Sequence, residues 1–527
     1  MAVLAMLAFP ASAAADNPPT LTITSPSAGT ILSGTATVTV DAQDDVQVDH
    51  VIYRFNPGDG NLITLGTSST PPFTFQFDTT TLPNCGPLAC TLYAQAVDTI
   101  GQTSGGPSGV GNSVGVHNAI VVDTTADNTS TTGSGCSLRQ AIASANDNTA
   151  YAGCKSGLSS PQDSIQIPAG AYNLTAGQLD VASDMDIVGA GAHSTDIRGY
   201  ALGQRVLEVS SGNVLVARAT IEGGNTGLNG PEDNAGVGGG IFVQSGATLN
   251  TQNLIVSQNH AERSGGGIDS DGALFVSGST IENNTAGFGA GIDDFGAIFD
   301  ATDSTITGNQ AQTDGGGLFL GGLADTLTND TIAGNLAGEG GSGSGGGLAG
   351  TSNSIHLNNT LLAQNGTPVS SSNCSAGGIT SNGHNLDDGS TCGLNASDLS
   401  NTDPLLGTLD TTGSTDVLPL TKSSPAIDAG DCIGGPSVDQ LGVDRPQGAG
   451  CDIGAVEFVP PPSDYFVSTP QELADALASA STNAVPATIH IAAGKYDLGT
   501  TTGTADVRPA DGGPITLEGA GAASTVL

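Results

Sequence analysis

The sequence contains no tryptophan, and aromatic residues of all kinds make up only 4% of its 527 positions. Basic residues are equally scarce: 11 Lys and Arg stand against 51 Asp and Glu, for a formal net charge of −40. A chain this acidic lacks the basic face that would bind DNA, RNA or an anionic membrane surface. The charge permits divalent cations and neutral or basic glycans as partners. Its simplest consequence is solubility.

Long apolar runs are also missing. Beyond the N-terminus no run approaches the roughly 18 residues of a membrane span, so we predict no transmembrane segment. Residues 1–15 read as a secretory signal peptide: Met1–Phe9 is apolar, Pro10 interrupts it, and Ala11–Ala15 offers a small-residue cleavage site. The usual basic start is absent, which suggests that the true start lies upstream. We therefore expect a secreted protein, extracellular or on the outer cell surface.

The eight cysteines form four groups of near neighbours. An even number, local spacing and a signal peptide favour disulfides formed in an oxidising compartment, although spacing alone does not fix their connectivity. Zinc binding is the alternative, and it is disfavoured because no Cys-x-x-Cys and no His at ligand spacing occurs. The neighbours are Cys85 and Cys90, Cys136 and Cys154, Cys374 and Cys392, and Cys432 and Cys451.

Five imperfect copies of one short pattern fill the stretch from Gly238 to Gly366. Each copy opens on a glycine cluster followed by an aliphatic residue and closes on an aliphatic residue three positions before an asparagine. A fixed period of this size indicates stacked supersecondary units. The clusters are Gly238–Ile241, Gly265–Ile268, Gly289–Ile292, Gly315–Leu318 and Gly345–Leu348, and the asparagines are Asn259, Asn284, Asn309, Asn335 and Asn365.

The runs between these marks, such as Leu254–Val256 and Thr305–Thr307, are short and rich in β-branched residues, and none has helical spacing. A period of about 25 residues suits one coil of a parallel β-helix, with three short strands and a rise of about 4.8 Å. We predict an all-β protein with a right-handed, pectin-lyase-like β-helix. Its asparagines should form a ladder at a turn whose left-handed backbone they tolerate, and its glycines should allow positive φ or close approach. A flexible Gly/Ser-rich linker is the alternative, which five asparagines in register disfavour.

The first hundred residues show a different pattern. Strict alternation of apolar and polar residues, as in Thr35–Ala42, predicts an immunoglobulin-like β-sandwich over residues 16–118. The runs Gly34–Asp45, Pro72–Phe75 and Tyr93–Asp98 resemble the bacterial immunoglobulin-like modules of secreted proteins. That resemblance implies a spacer or a unit that binds carbohydrate or protein.

Two further resemblances frame the predicted β-helix, which covers residues 119–458. Cys136–Asn146 has the spacing of a short amphipathic helix that would cap the first coil. It resembles the CSLREA segment of secreted bacterial β-helix proteins, with Gln140 in place of the acidic residue. Ser424–Asp431, Asp439–Pro446 and Cys451–Glu457 resemble the choice-of-anchor Q segment that ends such β-helices at variable surface anchors. We expect a disulfide-bearing C-terminal cap there.

Residues 459–464 read as a proline-rich linker. After it, Ile489–Gly494 repeats the pattern of Ile165–Gly170, and Gln471–Leu477 takes the place of the capping helix. We predict that residues 465–527 begin a second β-helix that the sequence leaves incomplete. A fragment of a longer protein is the favoured explanation; a disordered or swapped tail is the alternative.

β-Helices host polysaccharide lyases and glycosidases, so acid and base residues on the coils are candidates for catalysis. Asp269 and Asp271 lie on one coil, and Asp293 and Asp294 lie at the same phase on the next. Stacked carboxylates of this kind suggest a Ca²⁺ site or a pair of catalytic acids. Arg263 is the one basic residue of the five coils, no nucleophilic triad is indicated, and solvated acidic turns are the simplest reading. We assign no catalytic residue.

The competing function is adhesion. The Gly-Gly-x-Ile and aliphatic-x-x-Asn repeats are similar to those of polymorphic outer-membrane proteins, which are β-helical adhesins, although those repeats carry Phe before x-x-Asn. We therefore predict a binding or structural protein that contacts glycans or surface proteins, with a polysaccharide lyase or glycoside hydrolase as the alternative. The sequence does not define the oligomeric state.

Overall fold

The computed structural model describes residues 17–58, 60–105, 109–200, 203–228, 235–339, 341–367, 370–460, 464–482, 487–496, 515–521 and 525–526. The predicted signal peptide lies outside the described residues. The chain forms two compact units. The first runs to Phe275 and includes Asn284–Ala286 and Ile292–Ala297; the second holds Val276–Asn283, Gly287–Gly291 and the chain from Ile298 onward.

The N-terminal part is the predicted immunoglobulin-like sandwich. Alternating apolar side chains from its two sheets, among them Val38, Tyr53, Phe55 and Leu92, form a core of their own. A single 3₁₀ turn, Thr79–Thr81, is capped by Asp78. One sheet contains Thr20–Ser25, Thr35–Gln43 and Phe73–Asp78, and the other Ile31–Leu32, Val110–Val116, Cys85–Asp98, Val48–Asn56 and Ile63–Ser68.

A nine-residue helix, Leu138–Asn146, stands where the CSLREA-like segment predicts a cap. Ser137 and Gln140 form a capping box, in which the Ser137 backbone N–H donates to Gln140 Oε1 at 2.9 Å. The glutamine that replaces the acidic residue of that segment therefore performs the same capping task. Leu138, Ala141, Ile142 and Ala145 are buried.

Three parallel sheets wind through the coils that follow, and a fourth, shorter sheet accompanies them. The first sheet contains Ile120–Val121, Asp163–Ile167, Met185–Gly189, Asn213–Ala217, Thr248–Gln252, Ala273–Ser277, Ile298–Thr302, Asp325–Thr328, Ile355–Asn358 and Ile379–Gly383. The second sheet contains Gly170–Asn173, Thr195–Arg198, Thr220–Glu222, Ile255–Ser257, Thr280–Glu282, Thr305–Thr307, Thr331–Ala333, Leu361–Ala363, Leu386–Asp387 and Leu399–Ser400.

The third sheet contains Leu179–Val181, Leu207–Val209, Ile241–Val243, Ile268–Ser270, Ile292–Asp294, Leu318–Leu320, Leu348–Gly350 and Cys374–Ala376. The edge sheet contains Asn225–Thr226, His260–Ser264, Thr285–Phe288 and Gln310–Ala311. Neighbouring strands pair in parallel, and Ile241↔Ile268↔Ile292 pair without a shift, so equivalent residues of these successive coils stack. This is the parallel β-helix that the repeats predict.

The predicted asparagines form hydrogen-bonded ladders. Asn259 donates from its backbone N–H and from Nδ2 to Asn284 Oδ1, at 3.0 and 3.1 Å. In the second unit, Asn309, Asn335 and Asn365 repeat the same double donation, each to the next member. Asn365 donates in turn to Asn373, a rung that the repeat pattern does not reveal.

One detail of the ladder prediction is wrong. The left-handed backbone falls on the residue before each ladder asparagine, because the asparagine itself must hold its amide over the next coil. The residues with positive φ are Gln258, Asn283, Gly308, Gly334 and Gln364, with values from 53° to 71°.

The glycine clusters serve both predicted purposes. The first glycine of each cluster is left-handed, with φ between 54° and 68° at Gly238, Gly265, Gly289, Gly315 and Gly345. The third glycine lies against the ladder: a Cβ on Gly317 would meet Gly347 O at 2.6 Å and Asn335 Nδ2 at 3.1 Å. The left-handed turn, the close approach of the coils and the asparagine ladder therefore depend on the same glycine clusters.

The predicted C-terminal cap is a strap that folds back along the outward face of the second sheet. Thr280 Oγ1 donates to Asp416 O at 2.6 Å, and Thr305 Oγ1 donates to Gln440 Oε1 at the same distance. Farther along the sheet, Leu361 shares an apolar core with Leu420, Ala426 and Ile453 of the strap. The outward face of these coils is thereby covered by residues from a later part of the chain: Asp416 lies 136 positions after Thr280.

The last described elements repeat the start of the first β-helix. A strand, Asp464–Val467, precedes the helix Pro470–Thr482, and the strands Ala487–Ile491 and Ile515–Gly519 continue its sheet in parallel. Part of the predicted linker, residues 461–463, lies outside the described residues.

All eight cysteines form disulfides between the neighbours named above: Cys85–Cys90, Cys136–Cys154, Cys374–Cys392 and Cys432–Cys451.

Candidate functional site

The predicted acidic residues lie where the edge sheet meets the third sheet, a corner that we call the concave corner. A left-handed glycine turns the chain so sharply there that a Cβ on Gly265 would lie 2.4 Å from the Cβ of Asp269. Glu208, Phe242, Asp269 and Asp293 therefore stack in register along the corner. All four side chains are buried.

Asp269 and Asp293 form a carboxyl pair on adjacent coils. Ser264 Oγ donates to Asp269 Oδ2 at 2.6 Å. Burial, followed by the charge of Asp269, raises the pKa of Asp293 to about 9, and burial raises the pKa of Asp269 to about 6. The two buried carboxyls titrate as a pair, and burial together with the charge of Asp269 favours the protonated form of Asp293.

The other two predicted residues occupy different surroundings. Asp271 lies just beyond its strand and is exposed. Asp294 is completely buried, in register with Ser270 and two residues after the inward Ile292, so strand alternation places it on the opposite side of the strand from Asp293. The structure therefore brings together two of the four predicted carboxylates, Asp269 and Asp293, rather than stacking all four on one face.

A buried arginine from the preceding coil contributes the positive charge. Arg205 is fully buried, and its Nη1 donates to Glu208 Oε2 at 2.6 Å. Its guanidinium lies 5.0 Å from the centroid of the Phe242 ring. The charge of Arg205 also lowers the pKa of Asp269, in opposition to the effect of burial.

Sequence reasoning identified Arg263 as the basic residue nearest the aspartates and missed Arg205. Arg263 is exposed on the edge sheet, and its backbone N–H donates to Gly236 O at 2.8 Å. Arg205 precedes the first recognisable repeat, so only the coil register reveals its position. The sequence does offer a signal for Ser264 as a neighbour of Asp269, because Ser264 stands immediately before the glycine cluster of the Asp269 coil.

The concave corner suits a proton shared between carboxyls better than it suits a metal ion. Protonated Asp293 is a poor ligand for Ca²⁺, which prefers several ionised or carbonyl oxygens. Within the described ranges, no group of three or more His, Cys, Asp and Glu side chains is arranged to hold a metal ion. The proposed Ca²⁺ ligands Asp269, Asp271, Asp293 and Asp294 stay a prediction, of which only the first and third meet.

Comparison with known proteins bears on the N-terminal part. Residues 19–85 match a family model described as bacterial Ig domain. No curated protein and no solved structure matches the chain. Along the described part of the chain, no helix is both long and apolar enough to cross a membrane. Four disulfides and a bacterial Ig domain fit an extracellular protein.

Proposed function

We propose that this chain is an extracellular β-helical binding protein of the adhesion type, which contacts glycans or proteins at a cell surface. One observation carries the proposal: Asp269 and Asp293, two of the four aspartates that the sequence offers for chemistry, are buried side by side in the concave corner. In this position they stabilise the stacking of coils rather than face a substrate. The side chain that caps the pair, Ser264, is itself buried.

The position of the cations supports the same proposal. A lyase needs a basic group that reaches the α-proton of a uronate, next to carboxylates that bind Ca²⁺. Here Arg263 is exposed on the edge sheet. Arg205 donates to Glu208 and lies against the ring of Phe242. Neither combines access to substrate with a free carboxylate partner.

The modular order of the chain supports surface presentation. A sandwich, a β-helix and the beginning of a second β-helix make a modular, acidic protein. The likenesses to CSLREA, choice-of-anchor Q and polymorphic outer-membrane repeats point the same way, as does the signal peptide expected at residues 1–15. We include secretion and surface attachment in the proposal on these grounds.

A glycan array tests the proposal. The purified chain is applied with Ca²⁺ and again with chelator, alongside an array of bacterial and host surface proteins. Binding of at least one glycan or protein class supports the proposal, and loss in chelator would place Ca²⁺ in the binding site. Absence of binding across both arrays would overturn it.

The Asp269–Asp293 pair favours a carbohydrate-active enzyme as the second candidate. Two carboxyls with raised pKa that share a proton are the groups from which glycosidases build acid–base pairs. Every polysaccharide that binds is therefore assayed for unsaturated uronate products and new reducing ends. Turnover that disappears in the Asp293→Ala, Asp294→Ala double variant would establish catalysis and replace the binding role.

A further inference from the structure

Two concavities meet on the outward face of the first sheet, next to the sandwich. The larger has a volume of about 660 Å³ and extends from Ser33 and Thr80 of the sandwich to Lys155. The smaller has a volume of about 320 Å³ and ends at Arg218. Val121 and Gln166 line both. We call the combined depression the junction groove.

The floor of the junction groove is a row of outward side chains in register. Val121 pairs with Gln166, and Gln166 pairs with Val188. Arg218 lines the groove directly after the next strand, Asn213–Ala217. Three strand intervals of about 4.8 Å give a floor of about 14 Å. Val121 is 51% exposed at the short edge strand Ile120–Val121. The floor is long enough for a short oligosaccharide, with valines that suit the apolar face of a sugar ring.

Each end of the groove carries a cation. Lys155 Nζ donates to Thr80 O at 2.6 Å, and burial lowers the pKa of Lys155 while the charge of Asp78 opposes that effect. Arg218 is exposed, and its Nη2 donates to Ala190 O at 2.8 Å. In the described part of the chain, neither cation lies within ion-pair distance of a carboxylate.

Acidic groups far outnumber basic groups in this chain, which has a net charge of −40. Four other arginines, Arg139, Arg198, Arg205 and Arg445, each pair with a carboxylate of this protein. Lys155 and Arg218 instead bond to carbonyl oxygens and keep further N–H groups for another acceptor. A carboxylate or a similar anion can accept hydrogen bonds from these remaining N–H groups.

The acidic groups near the groove already have partners. Asp123 lines it, and its Oδ1 accepts from the Cys136 N–H at 2.7 Å. Asp163 lies behind His117, 3.1 Å from its Nε2, and also accepts from the Leu158 N–H. These aspartates hold the junction together, which leaves the two cations to receive a ligand.

We propose that the junction groove binds an acidic oligosaccharide of the uronic acid type, with one carboxylate at Lys155 and another at Arg218. The proposal rests on the binding function above and specifies its ligand and its site. Hydroxyl and amide groups of Ser33, Thr80, Ser164 and Gln166 line the groove and match the hydroxyls of sugars. A uronate chain carries carboxylates on a hydroxylated sugar backbone, and the groove likewise combines two cations with hydroxyl and amide groups.

Longer or denser polyanions fit less well. Two cations are too few to neutralise the phosphates of a nucleic acid, and the surrounding net charge of −40 repels it. An acidic peptide has no ring hydroxyls and would leave the hydroxyl and amide groups of the groove without matching partners. The peptide is therefore a competing outcome of the test.

The test is isothermal titration of the whole chain with oligogalacturonates of three to five residues and with the same oligomers as methyl esters. We expect the esters, the Arg218→Gln variant and the Lys155→Gln variant each to bind at least about tenfold more weakly, the loss of one charged hydrogen bond. Arg263→Gln removes an exposed cation outside the groove and should leave affinity unchanged. Thermal melting verifies that each variant is folded.

The outcomes separate this inference from the general proposal. Equal affinity for the acid and the ester, or for Arg218→Gln and the unchanged chain, would overturn the groove while other array ligands kept the binding function intact. A poly-glutamate peptide that binds more tightly than the oligosaccharide would also overturn it. Absence of every ligand on both arrays would remove the binding function itself.

Discussion

Asn335 donates twice to one atom of Asn365: its backbone N–H and its side-chain Nδ2 lie 2.9 and 3.0 Å from the same Oδ1. Its Nδ2 also donates to Ile306 O in the preceding coil, at 2.9 Å. One amide thus bonds to the coil on either side. Both residues are buried, so no water replaces a lost bond.

We therefore expect Asn335→Ala to lower the free energy of unfolding by about 2–4 kcal/mol, because it leaves buried polar groups without partners. Asn353→Ala changes an exposed asparagine of a nearby coil and should shift stability by less than about 0.5 kcal/mol. Chemical denaturation measures both. Hydrogen exchange should also accelerate at Thr331–Ala333, and a variant with native stability and exchange would show that the ladder is dispensable.

Gly317→Ala tests the close approach behind the ladder. The added Cβ would meet Gly347 O at 2.6 Å and Asn335 Nδ2 at 3.1 Å, so the coils must separate. We expect a loss of about 2–3 kcal/mol, comparable to overpacking elsewhere. Gly377→Ala is the matched control, since its Cβ would meet nothing within 4 Å. Equal melting temperatures of the two variants would contradict the role assigned to the glycine cluster.

Asp293→Asn tests the shared proton. An unfolded aspartate has a pKa of about 4, whereas in the folded chain burial and Asp269 raise the pKa of Asp293 to about 9. Stabilisation from a group with a raised pKa is fully present below the unfolded value and is lost as pH rises toward the folded one. Because asparagine does not ionise, the Asp293→Asn variant should not lose this stability as the pH rises.

We expect the Asp293→Asn variant to be more stable than the unchanged chain by about 1–3 kcal/mol at about pH 9, and nearly equal at about pH 4. Denaturation midpoints across this range measure the difference. Asn353→Ala, which changes an exposed residue that does not titrate, should leave the pH profile unchanged. Parallel profiles for the Asp293→Asn variant and the unchanged chain would mean that Asp293 is already ionised at neutral pH.

Arg445→Met tests the attachment of the strap. The buried guanidinium donates to Glu457 Oε1 at 2.7 Å and to Asp303 Oδ1 at 3.0 Å, which joins the strap to the coil beneath. Its removal leaves buried carboxylates unpaired, at a cost of about 3–5 kcal/mol. We expect limited proteolysis to cut first within residues 410–450, while Arg263→Gln behaves like the unchanged chain. Simultaneous cleavage throughout the coils would contradict a separately anchored strap.

The sequence repeats predict most of the β-helical fold. Gly315–Leu318 and Asn335 already define a coil, a turn and a rung, because each contact joins equivalent residues of neighbouring coils. The local spacing of the cysteines likewise favours disulfides, and the structure supplies the connectivity that spacing leaves open. These features depend on short-range order or on a period, both of which are visible in a sequence.

The site depends on information of another kind. Arg205 reaches the concave corner from a coil without the repeat pattern, and Asp294 turns away from Asp293 because adjacent strand residues face opposite sides. In the strap, Gln440 accepts a hydrogen bond from Thr305, although no local sequence pattern around either residue predicts this contact. Such contacts require the register between distant segments, which composition and spacing do not encode.

The most direct test of the central claim is a time course of product formation on every polysaccharide that the chain binds, with the unchanged chain beside an Asp269→Asn, Asp293→Asn double variant. We predict stable binding by both proteins and no unsaturated uronate or new reducing end from either. Product from the unchanged chain that is absent with the double variant would contradict the claim and make the buried pair an active site.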